Sequence, residues 1–189
     1  MPAEWSPSDQ LEFESHIADI TASAGFPVSW VDNVEVRKFC ERYIPSAKLP
    51  SRKVLTERVL PAEVKSWDSR AKLECVGANA SLQCDGWSAI NFRHLIAFML
   101  NTKRRIHAVK ILDTTHERKT AELLLKHMLE VIDYVQKDWE VKVVAFTSDA
   151  SGESRKARRL LLAQRPWLVA PDCYAHQVRR IYVQQHAAH

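Results

Sequence analysis

The sequence predicts an α/β chain. A mixed sheet, a three-strand meander followed by parallel strands, comes after an N-terminal helical segment. Three observations predict it. Residues 1–76 carry caps and apolar residues at helical spacing; beyond Gly77 the apolar runs become short and strand-like; a long amphipathic helix then separates the third strand from a valine-rich fourth. The 189 residues suffice for one core and a small second lobe. Hydrophobic residues at 46% and charged ones at 26% describe a folded chain and exclude a disordered tail.

The helical segment reads as four helices. Ser8 or Asp9 caps the first, which carries Leu11, Ile17 and Ile20 inward and stops at Gly25, with Pro27 beyond. Asp32 with Glu35 resembles a capping box, opening a helix through Val36, Phe39 and Cys40 to Tyr43. Pro45 and Pro50 break the chain. Ser51 caps a third helix with Val54, Leu55 and Val59, and Pro61 begins a fourth with Val64 and Trp67 on one face.

Ala80 to Cys84 is the first strand. Arg93 to Asn101 and Ile106 to Leu112 are two longer apolar runs, joined through Lys103, Arg104 and Arg105 as a hairpin. Lys119 to Lys137 is the clearest helix, with Leu124, Leu125, Met128, Val131, Ile132 and Val135 at helical spacing. Val141 to Thr147 reads as a buried strand, Glu153 to Gln164 as a basic helix with Leu160 and Leu161 on its core side, and Trp167 to Ala170 as a last short strand. A meander and a right-handed crossover helix set the Val141 strand parallel beside the first. That is the strand order of an RNase H-like sheet. The expected domains are 1–76, the helical segment; 77–178, a partial core; and 179–189, a tail.

Two aspartates carry the candidate chemistry. Asp85 follows the first strand in Leu82-Gln-Cys-Asp-Gly-Trp87, and Asp149 follows the fourth in Ala145-Phe-Thr-Ser-Asp-Ala150. Neighbouring strands lie roughly 4.8 Å apart, and carboxylates that close repel unless a cation shares them. Hard oxygen ligands suit Mg²⁺ or Mn²⁺, which activate water or a 3′-hydroxyl in phosphodiester chemistry. Each aspartate equally reads as a turn residue, since Asp-Gly and Asp-Ala-Ser-Gly are turn sequences. Arg155, Lys156, Arg158 and Arg159 form the densest basic cluster, suited to phosphates or simply to a solvated helix face. Lys103 to Arg105 read as a soluble hairpin tip, Arg179 and Arg180 as a third basic group, and Trp87 and Trp167 as packing residues.

A net charge of +4 permits a nucleic-acid partner without requiring one. Cys40, Cys75, Cys84 and Cys173 form no C-x-x-C pair, which argues against a zinc finger and for reduced thiols. Cys173-x-x-His176 offers two ligands where zinc needs three or four. No apolar run reaches a membrane span, and Met1 to Gln10 lacks the blocks of a signal peptide, so a soluble nuclear or cytoplasmic protein with no membrane partner and no small-molecule substrate is expected.

Cys84-Asp-Gly-Trp-Ser88, Thr114 to Glu122, Thr147-Ser-Asp-Ala-Ser151 and Asp172-Cys-Tyr-Ala-His176 occur in an order that resembles the transposase-like domain of unknown function of plant and fungal hAT-family proteins. Phe26-Pro-Val-Ser-Trp-Val-Asp-Asn33, Phe39 and Leu49-Pro-Ser-Arg52 resemble the helical segment that precedes it. The resemblance implies an RNase H-like fold, excision and insertion of DNA, Mg²⁺ or Mn²⁺, and an acid triad whose first two members are Asp85 and Asp149. It also implies that Cys173 and His176 handle DNA close to the active site. The family's third acid, a Glu, lies far downstream after a large helical insertion, and its dimerisation region and zinc-binding finger are absent from this sequence, which ends at His189. The expectation is a truncated hAT-type transposase fragment, inactive alone, that binds DNA and self-associates. The alternatives are a domesticated nucleic-acid or protein-binding module without catalysis, and a nuclease completed by Glu153 or a partner chain.

Overall fold

The computed structural model describes residues 5–89 and 91–174. It divides into two compact units, Met1–Arg70 and Ala71–His189.

The first unit holds α1 (Pro7–Ser23), a 3-10 turn (Val28–Asp32), α2 (Val34–Tyr43), α3 (Arg52–Val54), a π turn (Leu55–Val59) and the start of α4 (Leu60–Cys75). The cap of α1 is Ser6, two residues before the expected start. Its hydroxyl accepts from the Asp9 amide while the Asp9 carboxylate accepts from the Ser6 amide, a reciprocal capping box behind Pro7. The buried stripe is Glu14, Ile17, Ala18 and Thr21; Leu11 and Ile20, expected inward, are 61% and 43% exposed. Two polar members of that stripe are satisfied. Arg58 donates to Glu14 at 2.8 Å, and Thr21 donates to the Ile17 carbonyl at 2.7 Å while accepting from the Trp30 indole at 2.9 Å. Ile17, Ala18, Val31, Leu55 and Val59 form this unit's core.

Asn33, not Asp32, caps α2, accepting from the Glu35 and Val36 amides at 2.9 and 3.3 Å. Asp32 pairs with Arg37 instead. Ser51 caps α3 as expected. Pro61 does not open a separate helix. The Leu60 amide reaches back to the Leu55 carbonyl, and this widened turn lets the helix run on past a residue with no N–H to give. Val64 and Trp67 are exposed.

The second unit is built on four strands: β1 (Asn79–Ser88), β2 (His94–Thr102), β3 (Arg105–Asp113) and β4 (Lys142–Thr147). The sheet order is β3-β2-β1-β4, with β1 antiparallel to β2 and parallel to β4. This is the RNase H-like arrangement of a meander plus a parallel crossover strand. The β2–β3 turn has two residues, Lys103 at φ 49° and Arg104 at φ 63°, both left-handed as the tight hairpin turn demands. Each such non-glycine residue costs roughly 1 kcal/mol. Lys103 donates to the Glu74 carbonyl and Arg105 to the Glu74 carboxylate, both at 2.5 Å, which ties the hairpin end to α4.

The crossover is α5 (Ala121–Asp138), capped by Thr120, and α6 (Gly152–Gln164) follows β4, capped by Ser151. Their apolar faces cover Ala80, Leu82, Cys84, Phe98, Leu100, Val143 and Phe146 on one face of the sheet. Phe98 and Phe146 meet edge to face, with ring centroids 6.4 Å apart.

The expected strand at Trp167 to Ala170 is reduced to two isolated parallel bridges beside β4, Ala145 with Val169 and Ser148 with Asp172. The reason is Pro171. The Val169 amide donates to the Val144 carbonyl at 3.1 Å and the Cys173 amide to the Ser148 carbonyl at 2.8 Å. The rung between them falls on a residue without an N–H. No helix among the described residues is long and apolar enough to cross a membrane.

Phe146 is fully buried at the centre of this core. Phe146→Ala is expected to lower unfolding stability by about 3–5 kcal/mol, read as a shift in the urea midpoint at unchanged slope.

Candidate functional site

β1 runs to Ser88, so Asp85 lies within the strand, paired with Ala97, and does not follow it as expected. Its position opposite Asp149 depends on a bulge. Ala80 pairs with Val143 but Ser81 pairs with Ala145, leaving Val144 as an extra residue in β4. The register Leu82 with Phe146 and Gln83 with Thr147, continued by two residues, sets Asp85 level with Asp149. Without the bulge Asp85 would stand level with Ser148. Asp85, inside β1, and Asp149, two residues past the end of β4, thus stand level just beyond the last parallel pair, Gln83 with Thr147. By strand alternation Asp85 belongs to the opposite face of β1 from buried Cys84 and Leu82, and it is exposed.

Asp149 is held by its own loop. Its carboxylate accepts from the Ser151 amide at 3.2 Å and the Ser151 hydroxyl at 2.9 Å. Ser151 in turn accepts from the Ser154 amide at the start of α6. Cys84 precedes Asp85 on β1 and lies on the buried face of that strand. Burial pushes its thiol up to about 12, and the charges of Asp149 and then Asp85 push the same way.

Beside Asp149 opens a cleft of about 300 Å³. Cys84, Gly86 and Ser88 from β1 and His94 and Ile96 from β2 face Lys119, Leu124, Ser151 and Glu153 from the loops and first turns of α5 and α6. Ser88 and His94 share a hydrogen bond of 2.9 Å. Glu153 shares the cleft with Asp149, but Asp85 is not among its lining residues. No group of three or more metal-ligating side chains occurs among the described residues.

The basic cluster on α6 is largely committed. Arg155 donates to Asp172 at 3.3 Å, and Lys156 donates to Glu122 at 2.6 Å. Arg158, expected to meet DNA, is buried at 4% exposure and spends its guanidinium on Ser148, the Asp149 carbonyl and Asp172. A guanidinium this buried, with both terminal nitrogens spent on protein acceptors, has little surface to offer a phosphate, so that expectation is corrected. Burial pushes its pKa down, while the Asp149 charge pushes it up. Arg159 remains exposed. Cys173 is half-buried, and His176, Arg179 and Arg180 lie outside the described residues. Trp87 and Trp167 are both substantially exposed rather than packed.

Asp172 and Ser148 were not singled out by sequence reading as parts of a site. The signal available was Arg158 itself, which falls in the stripe Ser154, Ala157, Arg158, Leu161 that α6 buries. An arginine in a core stripe requires an acceptor nearby.

Residues 45–185 match the family described as Domain of unknown function (DUF659). The chain belongs to that family. No curated protein matches it. Among solved structures, the catalytic core domain of BIV integrase is 13% identical, with a TM-score of 0.32, over 57% of this chain and 64% of that one. The chain thus spans less than two thirds of that domain.

The four cysteines differ in access. Cys40, Cys75 and Cys84 are buried with thiols raised chiefly by burial, while Cys173 is half-buried. In the native protein a thiol-reactive disulfide reagent at pH 8 is expected to label Cys173 first, and Cys84 only on unfolding. Peptide mapping of the labelled protein reads the order.

Proposed function

We propose that this domain is a transposase-related core of the hAT type, contributing Asp85 and Asp149 as two carboxylates of a metal-dependent site for phosphodiester chemistry on DNA. The observation that supports the reading is the register of β1 against β4, which, continued two residues past its last pair Gln83 with Thr147, would bring Asp85 level with Asp149. Acids so placed repel, and a shared cation relieves the repulsion. The ordered motifs around Asp85, Asp149 and Asp172 support the same assignment.

The donors fit a hard divalent ion. Both are carboxylates, and Mg²⁺ is commonly bound through one or two carboxylates together with waters and substrate phosphates. Asp85 and Asp149 would hold it. Its contribution when bound is to activate a water or a 3′-hydroxyl and to neutralise the leaving oxygen. The chain's own part is positional. Ser151 orients the Asp149 carboxylate, and β1 carries Asp85 on a rigid central strand. With no group of three or more ligating side chains among the described residues, two acids form an incomplete clamp that needs further oxygens, from DNA or from another acid.

Titration with Mn²⁺, followed by the loss of the free-ion electron paramagnetic signal, tests this. Asp85→Asn and Asp149→Asn are each expected to weaken uptake by at least about 10-fold. Supercoiled plasmid is expected to stay intact with this chain and Mg²⁺ or Mn²⁺. Equal uptake by both variants and the parent would sink the metal assignment. Nicking that disappears in Asp85→Asn would overturn the incompleteness.

A further inference from the structure

One heavily engaged cation of the α/β unit, Arg158, serves none of the chemistry assigned so far. Arg158 lies on the core side of α6, its side chain only 5% exposed. One terminal nitrogen donates to both the Ser148 hydroxyl and the Asp149 carbonyl, the latter at 2.7 Å; the other donates to Asp172. Asp172, 19% exposed, is held from its other oxygen by Arg155 at 3.3 Å. Asp172 is itself fixed in place, because it bridges Ser148 across the strand edge and the following amide, Cys173, donates to the Ser148 carbonyl at 2.8 Å. Three pieces of chain therefore close on one guanidinium: the end of β4, the turn into α6 and the bridge after Pro171.

We propose that Arg158, locked by Asp172, is a positioning residue that fixes the Asp149 loop in the orientation needed to hold a divalent cation. The inference rests on the reading of Asp149 as a metal carboxylate.

A purely stabilising role accounts poorly for the arrangement. Replacing a buried ion pair by apolar residues of like volume is often neutral or stabilising, so such a pair adds little to stability in itself. What a guanidinium adds is a planar fork that sets several acceptors in one geometry, which a lysine cannot do. Here two of its acceptors belong to Ser148 and Asp149. Partners that orient metal ligands from behind, without touching the ion, typically change metal affinity by about 10–100-fold when removed.

Charge and positioning predict opposite signs, which makes the test sharp. Arg158 stands close enough to Asp149 for the acid's charge to raise it. Removing that positive charge should, by Coulomb's law alone, tighten cation binding at Asp149. Loss of positioning should weaken it.

The experiment compares the parent chain with Arg158→Met, Arg158→Lys and Ser148→Ala, each checked for an intact fold by its thermal midpoint. Mn²⁺ uptake and hydrogen exchange of the Ser151 amide are measured on all four. Both Arg158 variants are expected to weaken Mn²⁺ uptake by about 10-fold or more and to speed exchange at Ser151, whose amide donates to the Asp149 carboxylate. Ser148→Ala, which removes one anchor and keeps the charge, is expected to move both readouts in the same direction by a smaller factor. It keeps the proposal decidable even where an Arg158 variant unfolds. Unchanged exchange at Ser151 with unchanged or tighter Mn²⁺ uptake overturns the proposal. A parent chain that takes up no Mn²⁺ removes the metal reading of Asp149, and Ser151 exchange then decides the positioning role by itself.

Discussion

The parallel pairing of β1 with β4 is the constraint on which the rest of the α/β unit depends. Two parallel neighbours cannot be joined by a tight turn, so the chain must leave the sheet and return along its length. α5 makes that return and buries Leu124, Leu125, Met128, Val131, Ile132 and Val135 against one face. That face then consists of Ala80, Leu82 and Cys84 on β1, Phe98 and Leu100 on β2, and Val143 and Phe146 on β4. Once these are committed to the core, the end of each strand is fixed to within one residue. A slip of one would turn every buried side chain outward. The single extra residue at Val144 is tolerated because it falls near the start of the pairing and resets the phase before the acids are reached.

At the carboxyl end of that pair the sheet gathers charge of both signs. Asp85 and Asp149 bring negative charge to neighbouring strands, and Arg158 brings a positive one from beneath, with Asp172 and Arg155 completing the set. The groups differ in what they can exchange with solvent. Arg158 is buried and both its terminal nitrogens are engaged, whereas Asp85 is open. A buried charge network of this kind tends to specify one arrangement of its loops more than it adds stability. The turn from β4 into α6 is accordingly well determined: Ser148 is bridged, Asp149 is bonded to Ser151, and Ser151 caps the helix.

Much of this was legible from residue pattern. The strand order followed from a short hairpin and one long amphipathic helix, both strong signals. Asp85 lies within β1 and Asp149 two residues past β4. Boundaries were harder. β1 continues past Asp85 because its far half is paired with Leu95, Ile96 and Ala97, which no local signal at Asp85-Gly-Trp87 announces. Pro61 read as a helix start because the widened turn that accommodates it depends on Leu55 and Val59 being buried elsewhere. Hydrophobicity alone points Leu11 and Ile20 inward, yet α1 turns its stripe of Glu14 and Thr21 to the core, where Arg58 and Trp30 are their partners. The commitment of Arg155, Lys156 and Arg158 was invisible for the same reason. Their acceptors Asp172 and Glu122 are distant in sequence, and a run of basic residues looks the same whether it is spent or open.

Cys84 carries a consequence for the face it shares with the core. Burial, and after it the charges of Asp149 and Asp85, push its thiol up to about 12. It clusters with Leu82 and Phe98, so the position serves the sheet as a small apolar side chain, and the residue just before an open carboxylate is part of what holds that strand in register.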